Sequence, residues 1–483
     1  MVKGKAGCLV RAISVTQFSR SAMHFAKSMC ADFNPLIREF CNNDLSPKAM
    51  LELENAIAER VREFARCIIE WIVDNLEPTL QEMPANVIFQ DDSYRRIAEK
   101  TPNKNVLSRF GKICLKRARY RKGRKGKTIF PIEIVLGIEN GFTPAAADIT
   151  GKRFAASGST QSTTREMIHE RFGQKIGNEK LRRLTTRLAT SLEPLRQDAQ
   201  RDQLIEWIEQ ARQRGGKTVL SVSRDGVSLG LAPWSIFEMA GVACVSVLSD
   251  GKKLGTVYLA RAPQENQETL SGQLTSLLRV TIQACAGDVP EVVYVTDAGK
   301  IETAYWKNVL RHFFVDGNRI KITRVVDYYH GSERLTTIAD ALKVDSESRN
   351  DWLARTRITL LEVGGHGRVL RSIAKMKTLY GYKVSRADEA EKAERYLRRY
   401  KRFMNYAWAR NEGYPIGSGV VESACKQIVS QRLKLSGMRW HREGAQVVMT
   451  LRSILLSKIW DTIFEKWLET KPAVSDLMQT TNC

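Results

Sequence analysis

The chain has 483 residues, with 76 Lys and Arg against 53 Asp and Glu, for a formal charge of +23. That length predicts roughly two to four domains with at least one full core, and the cationic surplus favours a polyanionic partner, because phosphate contacts release counterions. No apolar run reaches the roughly 18 residues of a spanning helix and no signal-peptide core opens the chain, so a membrane class is excluded and a soluble, intracellular protein is expected.

Residues 1–90 are expected to be helical. Ser46 and Pro47 supply an N-cap and a first-turn proline, after which Ile57, Val61, Phe64, Ile68 and Ile72 recur at three- and four-residue steps until Glu77 and Pro78. This stripe is expected to pack as core rather than pair two chains. Within 91–160 the composition turns basic. Nine Lys and Arg lie between Lys112 and Lys127 without an acid, among them Lys116, Arg117, Arg119 and Arg121. Alternation through Ile113, Leu115 and Tyr120 predicts a basic hairpin with Gly123 and Gly126 near its tip, its cations on a DNA backbone rather than merely solvated. Residues 161–200 resemble a helix-turn-helix, with helices from Thr163 to Arg171 and from Asn178 to Leu188. Met167, Ile168, Ile176, Leu181, Leu184 and Leu188 would form its core, leaving Lys180, Arg182, Arg183 and Arg187 to face a groove. An ordinary helical hairpin reads the same way.

From about residue 216 the pattern changes to strands. Strands are predicted at 218–224, 239–248, 254–259, 291–296 and 320–326, with helices at 270–285 and 305–314. The order β-β-β-α-β-α-β over 216–330 matches a ribonuclease H-like α/β core, in which the first, fourth and fifth strands run parallel. A helical insertion over 331–410 and closing helices over 411–470 complete it, behind mainly helical N-terminal DNA-binding modules. The tail 471–483 is expected to fray.

Three acids stand out on this frame. Asp225 closes TVLSVSRD, Asp297 closes EVVYVTD, and Glu422 follows the glycine turn of PIGSGVVES. Ligands and metals bind at the carboxyl ends of strands in α/β sheets, and three carboxylates there make an oxygen-only site for Mg2+ or Mn2+. Two such ions suit in-line displacement at a phosphodiester. Asp225 would bridge both, Asp297 would hold one and Glu422 would complete the other. Singly, each acid also reads as a turn, cap or helix-dipole residue; the joint pattern sets them apart. The nine cysteines and six histidines show no zinc-type pairs. His330, after Asp327, is expected to orient against that carboxylate, the alternative being to position a phosphate or a flipped base. Lys426, Arg432, Lys434, Arg439 and Trp440 would hold the scissile strand, Trp440 by stacking on an unpaired base; otherwise they form a solvated helix face with Trp440 in the core.

The segment PIGSGVVESACKQIVSQRLKLSGMRW closely resembles the catalytic-glutamate signature of bacterial insertion-sequence DDE transposases of the Kra type, relatives of Mutator-like elements. SRDG and VTDAG resemble that family's two aspartate motifs, and VVDYYHGSERL its Asp-x-x-His motif. The resemblance is strong over 218–455 and looser across the basic hairpin and helix-turn-helix. Trp234 keeps the family's spacing after Asp225 and Gly226, but the intervening VSLGLAP is not diagnostic. The resemblance implies that Asp225, Asp297 and Glu422 form the DDE triad, with Asp327 and His330 auxiliary. The expected activity is hydrolysis at the ends of a mobile element to expose a 3′ hydroxyl, then strand transfer into target DNA. The partners would be double-stranded DNA and, because two ends must pair, further copies of the chain, in the bacterial cytoplasm at the nucleoid. A ribonuclease H-like nuclease without strand transfer and a domesticated DNA-binding protein with a vestigial site are the alternatives.

Overall fold

The computed structural model describes residues 8–42, 46–79, 81–97, 104–233 and 236–477, so Trp234 and the end of the tail lie outside the described residues. The chain divides into two compact units, Met1–Leu192 with Ile463–Cys483, and Glu193–Thr462.

In the first unit, α1 (Val15–Asn42) packs on α2 (Pro47–Leu76). The second helix starts where the sequence predicts: the Ser46 hydroxyl accepts from the Ala49 N–H and Pro47 fills the first turn. The expectation of a packed stripe is corrected, because no residue of α2 is buried and Ile57 and Val61 are 39% and 48% exposed. Only its last turns reach a core, where Ile69, Val73 and Leu76 pack on Val106, Ile113, Leu115 and Ile132.

Six short strands follow: β1 (Asn86–Phe89), β2 (Asp92–Arg96), β3 (Lys104–Ser108), β4 (Gly111–Leu115), β5 (Tyr120–Arg121) and β6 (Thr128–Ile129). They form an antiparallel sheet β1-β2-β5-β6 and a separate β3-β4 hairpin. The predicted basic hairpin is therefore split. Its first half pairs back across a tight turn closed by Gly111 at φ +125°, and only β5 and β6 close around Gly123 and Gly126.

Beyond α3 (Pro131–Val135) and α4 (Pro144–Ala155) come the two predicted helices. In α5 (Gln161–Phe172), Thr160 and Thr163 cap each other reciprocally and Gly173 ends the helix at φ +66°. The following helix, α6 (Asn178–Gln213), runs far past the expected end. Ile168, Leu181, Leu184 and Leu188 are buried as expected. The tail is not frayed as far as it is described. The turn Val474–Leu477 is helical, and Leu477 is buried in a cluster with Leu9, Val87, Tyr94 and Tyr120.

The second unit is built on five strands: β7 (Thr218–Leu231), β8 (Ile236–Ser249), β9 (Lys252–Arg261), β10 (Glu291–Thr296) and, past the small hairpin β11 (Phe314–Val315) and β12 (Asn318–Arg319), β13 (Ile322–Val326). Their order is β13-β10-β7-β8-β9, with β13, β10 and β7 parallel and β7, β8 and β9 antiparallel. Side chains alternate between two cores. Leu220, Val222, Val292 and Tyr294 pack with Leu204 and Ile208 of α6 and with α7 (Glu268–Ala284). On the other face, Val219, Val293, Val295 and Val325 meet the helices that follow β13: α9 (Tyr328–Ala341), α10 (Ser346–Leu360), α11 (Gly365–Tyr380), α12 (Ala387–Tyr400) and α13 (Tyr406–Asn411). A short α8 (Lys300–Asn308) links β10 to β11. The chain closes through α14 (Gly419–Ala424), a π-helical turn Cys425–Ser430, α15 (Gln431–Leu433) and α16 (Arg442–Leu456). The unit is thus mixed α/β. Among the described residues no helix is long and apolar enough to cross a membrane.

Candidate functional site

β7 does not end at Asp225. It continues paired with β8, and Asp225 lies opposite Val242, just beyond Val222, where the parallel pairing with β10 stops. Its Oδ1 accepts from the Gly226 N–H at 2.7 Å and its Oδ2 lies 3.8 Å from Cys425 Sγ. On the neighbouring strand, Asp297 follows β10 directly, and its Oδ1 accepts from the Gly299 N–H at 2.9 Å. Between them Ala298 takes φ +66°, a region costly for a residue with a Cβ. Hydroxyl groups from the helical segment hold this end of the sheet. Tyr396 donates to the Asp297 carbonyl at 2.7 Å, Tyr400 to the Ala298 carbonyl at 3.3 Å and Tyr406 to the Val326 carbonyl at 2.9 Å.

Glu422 is brought in by Asp327, which is fully buried after β13. Asp327 Oδ1 accepts from the His330 N–H at 2.9 Å and caps α9, while Oδ2 accepts from both the N–H and the hydroxyl of Ser418. The Tyr328 N–H donates to the Ile416 carbonyl at 2.8 Å, so the turn 415–418 is docked by backbone as well. A Cβ at Gly417 would stand 2.8 Å from the Tyr329 ring, which would have to shift. One helical turn on, Glu422 Oε1 lies 2.8 Å from the Ser418 hydroxyl. Burial opposes ionisation of Asp327, but the His330 and Ser418 donors outweigh it and bring its carboxyl down to about 2.

The electrostatics place the predicted acids in one neighbourhood. Burial raises the pKa of Asp225, the negative charges of Asp297 and Glu422 raise it further, and His330 acts in the opposite direction. His330 Nδ1 stands 3.6 Å from Asp327 Oδ1 and 3.9 Å from Glu422 Oε1. Asp327, against the cost of burial, pushes the imidazole up to about 9, so it is a cation at neutral pH. Nδ1 is enclosed and makes no hydrogen bond.

One metal-ligand grouping follows from these contacts among the described residues. Asp327, His330 and Glu422 each offer an atom within 4.8 Å of the others, a group that does not include Asp225 or Asp297. Both Asp327 oxygens, however, are already taken by donors that hold the turn. Asp297 Oδ2 and Glu422 Oε2 accept no hydrogen bond among the described residues, and Asp225 Oδ2 meets only a thiol. Asp225, Asp297 and Glu422 thus keep oxygens free, though these three do not come within 4.8 Å of one another as a ligand group among the described residues, and Asp327 stands beside them as the anchor.

Sequence reasoning missed a fifth carboxylate. Glu302, in the first turn of α8, is buried. Burial raises its pKa, and the charges of Asp297 and Asp225 add to that. Gly299 makes room for it, because a Cβ there would overlap the Glu302 carboxylate and lie 3.4 Å from Asp297 Oδ1. Under it Arg224 is wholly buried, donating to Ser271 Oγ at 2.8 Å and Gln267 Oε1 at 2.9 Å, with Glu302 Oε1 3.9 Å away. The available signal was strand alternation, which turns Arg224 to the face opposite Asp225.

The predicted DNA-contacting residues divide. Arg432 is corrected: it is fully buried against the Trp440 ring, 5.3 Å from its centroid, and burial lowers it to about 10. Half-buried Trp440 belongs to the same packing, and its carbonyl accepts from the Ala232 N–H at 2.9 Å. Lys426, Lys434 and Arg439 are exposed. In the first unit Arg117 is also corrected, for it pairs with Glu133 at 13% side-chain exposure and covers the Phe130 ring. Lys116 meets Asp74 at 2.5 Å, Arg119 and Arg121 are half-buried, and Lys180 covers the Phe142 ring. Arg182 and Arg183 share Glu179, and Arg187 meets Glu139 at 3.2 Å, all three arginines remaining largely exposed. No protein-family model matches the chain, and no curated protein matches it.

Proposed function

We propose that the chain is a DDE-type DNA transposase whose Glu193–Thr462 unit is a ribonuclease H-like core. The observation that carries this reading is the convergence of Asp225, Asp297 and Glu422 from two parallel strands and a distant helix, with like charges pressing on Asp225 and carboxylate oxygens left open. The sheet order and the helices lodged between β13 and α14 support the same reading.

Asp225 on the central strand, Asp297 and Glu422 are the residues that would hold two Mg2+ or Mn2+ ions. When bound, the ions supply activation of the attacking oxygen and stabilisation of the leaving one in an in-line displacement. The chain's own groups do the rest. Asp327 and Ser418 fix Glu422, the His330 imidazolium offsets negative charge beside it, and exposed Lys426, Lys434 and Arg439 take the scissile strand. Arg182, Arg183 and Arg187 suit phosphates of a duplex held by the first unit. A homo-oligomer pairing two element ends, acting in the bacterial cytoplasm at the nucleoid, completes the reading.

The test is Asp225→Asn. Magnesium-dependent cleavage of duplex DNA carrying the element ends should vanish while DNA affinity is kept; retained cleavage sinks the assignment. Pre-cleaved ends separate the alternatives, since a nuclease without strand transfer gives no joined product and a vestigial site binds no divalent metal.

A further inference from the structure

The helical segment 331–410 carries 18 Lys and Arg against 10 Asp and Glu. Among the described residues six of these cations reach a carboxylate, as Arg349 and Arg386 reach Asp340 and Lys377 and Arg398 reach Glu394. Arg355 and Lys375 are among those that do not, and they share one groove. Among the described residues no carboxylate lies within 4.0 Å of Arg355 or Lys375, and the Arg355 Nε–H donates only to the Asp351 carbonyl at 3.3 Å.

These two cations face each other across a cavity of about 310 Å³ between α10 and α11. From α10, Arg355, Thr356 and Thr359 point into it, and from α11, Arg368, Ser372 and Lys375, spaced so that each set shares one helix face. No acid lines it. Its floor is fixed, because Trp352 is 5% exposed and its Nε1–H donates to Ser372 Oγ at 2.9 Å, and Val369 is 1% exposed. Only Arg368 has a carboxylate, Glu362 at 2.7 Å. Like charges held on a rigid groove with hydroxyl groups beneath repel one another unless an anion sits between them.

We propose that the α10–α11 groove is a binding site for DNA backbone phosphates, apart from the contacts of Lys426, Lys434 and Arg439. The identity of that polyanion rests on the transposase reading. Free inorganic phosphate presents the same oxygen acceptors, and the experiment separates the two.

The experiment measures anisotropy of a labelled duplex of about 30 base pairs of arbitrary sequence, with the full-length protein, from about 50 to about 200 mM salt. Each lost phosphate contact flattens the log–log salt slope by about 0.9. The double variant Arg355→Gln, Lys375→Gln should therefore show a slope shallower by about 1.8 and weaker affinity at low salt, with an unchanged melting temperature. The variant Arg355→Lys should keep the wild-type slope. An unchanged slope and affinity in the double variant, while the wild type binds, overturns the groove and leaves the transposase reading standing. A wild type that binds no duplex at low salt sinks both. Inorganic phosphate that displaces the duplex at matched ionic strength, in the wild type but not in the double variant, overturns the DNA assignment in favour of the small anion.

Discussion

A single hydroxyl joins the two carboxylates that matter most for assembly of the site: Ser418 contacts both Asp327 and Glu422. Ser418→Ala removes a donor from a fully buried carboxylate, a loss of about 1–3 kcal/mol. It should lower the midpoint of chemical denaturation and cut the cleavage rate, and Ser418→Thr should restore both. His330 and Asp327 set a pH dependence of opposite sign at the two ends of the scale. His330 rises from 6.5 to about 9, so its stabilisation is complete below about 6.5 and is lost as pH climbs through 9. Asp327 falls from 3.8 to about 2, so its stabilisation is present above 3.8 and is lost as pH drops toward 2. The melting temperature of the metal-free protein should decline between pH 7 and about pH 9.5, and His330→Gln should flatten that decline. The acids were legible because a carboxylate after an apolar strand stands out locally. Arg432 and Arg117 were not, since a cation's burial is decided by elements far away in sequence, in the case of Arg117 by Glu133 and Phe130.

Elements were legible where local signals act alone. β10 was predicted to the residue, and α2 starts at the cap the sequence announces, whereas α5 starts at Gln161, two residues before the expected Thr163. β7 was cut short because Asp225 and Gly226 read as a turn, whereas fourteen ladder partners on β8 carry the strand through them. The basic run lacked acids only locally; Asp74, Asp92 and Glu133 supply them from outside it. The tyrosines of α12 and α13 could not be assigned from sequence, because their role lies in carbonyls of other strands. Tyr396→Phe tests that role. Loss of its bond to the Asp297 carbonyl should cost about 1 kcal/mol in denaturant titration and weaken Mn2+ binding measured calorimetrically, with DNA affinity unchanged.

At the scale of the molecule, the charge of +23 and the acid cluster pull toward different partners. On the proposed reading, a polyanion would offset the cationic surface and a divalent cation would offset the repulsion among the acids. Magnesium at a hundred times its dissociation constant should stabilise the folded state by about 2.7 kcal/mol, read as a rise in melting temperature. In Asp297→Asn that rise should largely disappear. The division into two units followed composition only loosely. The small sheets of the first unit were hidden because their strands are two to five residues long, too short for alternation to register.

The docking of turn 415–418 on Asp327 makes Glu422 the one acid of the three that no strand carries. Whatever lifts that turn by a few ångströms takes Glu422 away while Asp225 and Asp297 stay on their strands. Glu422 thus keeps its place through the contacts of Ser418 and Ile416 with the end of β13, two of them made by backbone.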